Sequence, residues 1–79
     1  MLAALSTLFG ALAIGVTPLQ LYAALMAGTP LQIVDVRTPA AYAEGHLPGA
    51  LNVPGADLRA GLPPPRGLRR DRVAYLYCT

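Results

Sequence analysis

The apolar positions of this chain change their period as the sequence advances. From Met1 to Val16 they run almost unbroken, and the first charged side chain is Asp35. Three readings of that opening block compete. A membrane-spanning helix needs about 17–25 apolar residues, so the block is short for one. A secretory signal would need a basic start before its apolar core, and none is there, although Ala11-Leu12-Ala13 offers a small-x-small site. The third reading is an apolar lead-in helix packed on the domain, or an upstream extension. At Thr17 the pattern becomes helical. Thr17 can cap, Pro18 suits the first helical position, and Gln20 can close a capping box. Leu21, Tyr22, Leu25 and Met26 recur at helical spacing, read as a packing stripe, and Gly28 ends the helix.

The period then shortens. Leu31 to Val36 is apolar on both faces apart from Gln32 and Asp35, as expected of a central parallel strand covered on both sides. Thr38-Pro39 repeats the helix start, Gly45 closes that short helix, and Ala50 to Val53 forms the next apolar run. Ala56 to Leu62 can make a short helical turn before Pro63-Pro64-Pro65 forces an extended connector. Val73 to Tyr77 is a further buried strand, with Cys78 at its carboxyl end. Strand, helix and strand in alternation predict an α/β layer structure.

Size limits what this pattern can build. With 79 residues it is one small domain, of the kind that buries only about 60% of its unfolded surface. An apolar content of 54% and a mean hydropathy of +0.47 exclude a disordered polar chain. The net charge of +2 is too slight for a nucleic-acid surface. Arg66, Arg69, Arg70 and Arg72 cluster in the connector, which reads as a solvated segment rather than an anion site. One cysteine excludes an internal disulfide and a multi-cysteine zinc site, and no metal or cofactor is expected.

The stretch Ile33 to Pro54 carries the chemistry. Asp35 and Arg37 end the strand; Tyr42, Gly45, His46, Leu47, Pro48, Gly49, Ala50, Asn52, Val53 and Pro54 follow at fixed spacing. This pattern resembles the signature of rhodanese-like domains: D-x-R, an aromatic residue, then G-H-[IL]-P-G-A-x-N-[IVL]-P. The resemblance runs from about Thr17 to the last residue, leaving residues 1–16 as a separate apolar segment. It implies a parallel sheet flanked by helices, with Cys78 beside the Asp35–Arg37 strand end. It also implies a sulfurtransferase, in which the cysteine takes sulfur from thiosulfate or a persulfide and passes it to a thiol or cyanide-like acceptor. The family's loop is C-x-x-G-x-[RS], and only Cys78 and Thr79 of it are present. The chain therefore reads as a domain incomplete at its carboxyl end, an inactive fragment as it stands. Without the family's last strand, Val73 to Tyr77 is expected to be an unpaired apolar edge.

Asp35 and Arg37 are expected to support the site by pairing and positioning rather than by acid–base work. His46 is expected to hold its turn through the backbone. Gly45, Pro48, Gly49 and Asn52 are read as structural. A non-catalytic rhodanese-like binding module, membrane-tethered through residues 1–16, is the competing function. The related dual-specificity phosphatases use a C-x5-R loop, which cannot be counted here. Tyr77-Cys78, in place of their usual His-Cys, favours the sulfur branch. The sequence leaves the compartment open between a bacterial cytoplasm and a membrane-anchored or periplasmic location, the latter if residues 1–16 act as anchor or signal.

Overall fold

The computed structural model describes residues 6–78, so Met1–Leu5 of the apolar lead-in and Thr79 lie outside the described residues. The elements are β1 (Ser6–Leu8), β2 (Ala11–Gly15), α1 (Pro18–Met26), β3 (Leu31–Asp35), α2 (Pro39–Glu44), β4 (Leu51–Asn52), α3 (Gly55–Ala60) and β5 (Val73–Tyr77). They build one five-stranded sheet of order β1-β2-β5-β3-β4. Only the β1–β2 pair is antiparallel; β2–β5, β5–β3 and β3–β4 are parallel. The α/β class read from the sequence is the class observed.

Both strong helix starts form as the sequence chemistry dictates. The Thr17 side chain accepts from the Gln20 amide and the Gln20 side chain accepts from the Thr17 amide, a complete capping box. Thr38 accepts from the Ala41 amide at the start of α2. Gly28 follows α1 with a φ of 72°, the left-handed residue that a helix end favours.

Three expectations are overturned. Residues 6–15 are not a helix but a β-hairpin, turning through Phe9 and Gly10 with φ of 50° and 86°. Positive φ at both loop residues matches the twist that joins two antiparallel strands. Along β2 the small Ala11 and Ala13 are buried while Leu12 between them is exposed, an alternation of period two. Among the described residues no helix is long and apolar enough to cross a membrane. The same hairpin corrects the second expectation. β5 is no edge strand, because β2 pairs along its free side through Ala13–Ala74, Ile14–Tyr75 and Gly15–Leu76. An uncharged lead-in supplies the partner that the apolar strand needs.

The sheet is covered on both faces. Leu8, Ala13, Val34, Val53 and Ala74 form the core on the α3 side, joined by Leu58 of α3 and by Leu68. Leu21, Ile33, Ala50 and Tyr77 form the other, joined by Tyr42 of α2. Here a third correction falls. The Tyr22 and Met26 stripe is not core: those residues are 60% and 69% exposed, and α1 meets the sheet through Leu21, 1% exposed. Burying one leucine is worth roughly 1.5–3 kcal/mol, so a single side chain and the capping box hold this helix down.

Candidate active site at the carboxyl ends of the strands

Parallel pairing brings the carboxyl ends of β3, β4 and β5 to one rim. Asp35 stands in register with Tyr77 on one side and Asn52 on the other. The backbone remains zipped beyond the strands: the Val36 amide donates to Tyr77 O at 3.2 Å, and the Val16 amide donates to Leu76 O at 2.9 Å. Cys78 therefore leaves β5 on a backbone fixed from both sides. Its side chain is exposed and free of any disulfide.

Asp35 does the opposite. It is 0% exposed, the one buried charged residue among the described residues. Its carboxylate accepts from Arg37 Nε at 3.0 Å, from Arg37 Nη2 at 2.7 Å and from the Arg37 amide at 2.9 Å. The Tyr77 hydroxyl donates to the same carboxylate at 2.9 Å and accepts from the Leu47 amide at 3.2 Å. Arg37 Nη2 also donates to Gly45 O at 2.6 Å. The Asn52 side chain donates to the carbonyls of both Asp35 and Arg37 at 3.0 Å. Burial alone would raise the Asp35 carboxyl, but the hydrogen bonds from Arg37 and Tyr77 outweigh it and hold the group below the usual carboxylate range. Burial pushes the Tyr77 phenol up, and the neighbouring carboxylate adds to the rise. Bonding to Asp35 likewise raises the Arg37 guanidinium.

These contacts tie the glycine-rich turn to the sheet. His46 Nδ1 lies 2.7 Å from Tyr42 O, and its ring stacks on Tyr42 with centroids 3.6 Å apart. The Tyr42 hydroxyl in turn donates to Ala50 O. Gly49 has a φ of 80°, a conformation that L side chains rarely adopt. Pro48 lies in the exposed part of this turn, and Gly45 ends α2.

Two cavities meet at Cys78. One, of about 510 Å³, runs between β3, α2 and α3 and has Arg37, Arg59 and Cys78 in its wall. The other, of about 530 Å³, lies toward α1 and is lined by Val16, Thr17, Leu76 and Cys78. The structure thus brings Cys78 and Arg37 into one crevice, while Asp35 stays behind it as a buried support. Two contributors were missed in the sequence. Tyr77 reads from the sequence as a buried-strand residue preceding the cysteine, and only its register with Asp35 shows the hydroxyl's role. Arg59 had no signal, since α3 had to fold before its last turn could face the cysteine. Asp57 of α3 shares that wall. No cluster of three metal-ligating side chains stands among the described residues.

A parallel α/β sheet carrying an exposed cysteine at a central strand's carboxyl end, beside an Asp–Arg strand end, defines a class of cysteine-bearing α/β domains. The model of the rhodanese-like domain family matches residues 17–79, and the chain belongs to that family. No curated protein and no solved structure matches it.

Proposed function

We propose that this chain is the cysteine-bearing part of a sulfurtransferase that carries sulfur as a persulfide on Cys78. The observation that carries the reading is the exposed thiol in one crevice with the guanidinium groups of Arg37 and Arg59. The Cys78 thiolate attacks the outer sulfur of thiosulfate. A sulfur–sulfur bond forms to the cysteine as the donor's own sulfur–sulfur bond breaks, and sulfite leaves with the electron pair. An acceptor such as cyanide then takes the outer sulfur, leaving as thiocyanate and returning the thiolate. Arg37 is largely committed to Asp35 and Gly45, so Arg59 is the cation left to meet an anionic donor.

The anionic persulfide needs several backbone amides aimed at it. The 79 residues hold two of the six positions of the family's C-x-x-G-x-[RS] loop. We therefore expect this stretch by itself to load sulfur poorly or not at all. A chain extended by a complete loop should load. The test is incubation with thiosulfate and then cyanide, reading thiocyanate by colour and the added mass of one sulfur on Cys78. Loading of the extended chain, lost in Cys78→Ser, supports the reading. A folded extended chain that takes up no sulfur rejects it and leaves the second reading, a non-catalytic rhodanese-like module. What favours that second reading is that Asp35 and Arg37 complete their contacts internally, so the fold does not depend on a reactive loop.

A further inference from the structure

The outer face of α1 has no partner among the described residues. Leu19, Tyr22 and Met26 follow one another at i, i+3 and i+7, which sets them on one side of the helix, opposite the buried Leu21. They are 76%, 60% and 69% exposed, and Leu25 at their margin is 48% exposed. An amphipathic helix ordinarily turns such a stripe inward. Leu12 extends the same layer. It alternates with Ala11 and Ala13, which point to the α3 side, so Leu12 points to the α1 side, where it is 55% exposed.

Charge decides what covers this surface. Residues 1–34 contain no acidic or basic side chain, so no charge on α1 or β2 resists transfer into an apolar phase. Arginines stand at the border. Leu25 shares a cavity of about 360 Å³ with Arg69 and Arg72. The Gln32 side chain pins that segment, donating to Arg69 O and Arg72 O and accepting from the Arg69 amide. Arg69 pairs with Asp71 at 2.8 Å, whereas Arg72 enters no ion pair among the described residues. The other acids on this side of the sheet are Asp35, buried and paired with Arg37, and Glu44, at the end of α2. A second copy would bring the same arginines against them, with Asp71 already engaged beside them and Glu44 placed on a different helix. An anionic lipid surface satisfies both features: acyl chains for the leucine, tyrosine and methionine side chains, and headgroups for the guanidinium groups. A nine-residue helix is only about 14 Å long, so it lies in the interface and does not span.

We propose that the outer face of α1, bordered by Arg69 and Arg72, docks the protein on an anionic membrane surface. This rests on exposure and charge, independently of sulfur chemistry. Co-sedimentation of the 79-residue chain with vesicles of phosphatidylcholine, with and without one third phosphatidylglycerol, tests it, with circular dichroism showing that each variant is folded. The expected result is at least about tenfold stronger partition onto the anionic vesicles, since each cation near the surface contributes about 1 kcal/mol, roughly fivefold. Leu19→Gln with Met26→Gln should abolish binding to both vesicle types. Arg69→Gln with Arg72→Gln should remove only the anionic preference. The chain has no tryptophan, so Tyr22→Trp gives a single reporter whose emission should shift to the blue at a lower lipid concentration on anionic vesicles than on neutral ones. A folded chain that stays in the supernatant overturns the proposal, as does equal binding to both lipids. A dimer dissolved by Met26→Gln, with no vesicle binding, overturns it in favour of self-association.

Discussion

Asp35 and Cys78 stand at the same rim of one sheet and are handled in opposite ways. Asp35 is wholly enclosed, with hydrogen bonds from Arg37 and Tyr77 to its carboxylate. Cys78, one residue beyond the tyrosine that binds that carboxylate, is exposed between two cavities. A buried charge survives only when its partners are complete, so such a cluster fixes geometry and tolerates little change. An exposed thiol has no such constraint. The scaffold and the proposed sulfur carrier are thus separate residues, joined by the backbone of β5.

If that division is right, removing Arg37 should have the largest effect on folding. Arg37→Met strands the Asp35 carboxylate, and leaving a buried charge without its partner costs about 3–5 kcal/mol. A core this small supplies about the same amount. Urea unfolding followed by circular dichroism is expected to lose its cooperative transition. A variant that keeps the wild-type midpoint would show that the pair is ornamental.

Tyr77→Phe should cost less. It takes one donor from Asp35 and the acceptor from the Leu47 amide while leaving the ring packed against Leu21 and Ile33. Unpaired buried groups cost about 1–3 kcal/mol, and the urea midpoint should fall accordingly. The loss should be felt in the turn as well, as faster amide exchange at Leu47.

What the sequence revealed follows the same division. Local chemistry was legible: the caps at Thr17 and Thr38, the left-handed Gly28 and the Val73–Tyr77 strand stood as expected, while of the Asp35–Arg37 pair only Arg37 lines the crevice of Cys78. Non-local pairing was not. An uncharged run such as residues 6–15 fits a helix or a strand until a partner is known, and that partner is β5, some sixty residues later. Solvent exposure of Tyr22 and Met26 was hidden for the same reason, since helical spacing sets a face but not what lies against it. The Tyr77 hydroxyl found its role only through register across the sheet.

Acid should sharpen the contrast without touching Cys78. The folded Asp35 carboxyl ionises below its usual value, about 3.9, so on acidification the unfolded chain binds that proton first. Stability drawn from ionised Asp35 is then complete above about pH 4 and declines as the pH falls through the lower folded value. Thermal unfolding from pH 6 downward should show the wild type losing its advantage over Asp35→Asn below about pH 4. A constant difference between the two across that range would mean the carboxylate's charge plays no part.

Cys78→Ser completes the series with the smallest structural effect. The side chain is exposed, carries no disulfide and makes no hydrogen bond among the described residues. Exposed substitutions of this kind change stability by no more than about 0.5 kcal/mol, so the urea midpoint should match the wild type. The thiol is nonetheless the only one in the chain, so every trace of sulfur uptake must vanish with it. An unchanged midpoint with all uptake lost would place the chemistry on the one rim residue the fold can spare. A fall in stability comparable to Tyr77→Phe would instead make the cysteine part of the scaffold, and the separation of support from reactivity would fail at the residue on which it depends.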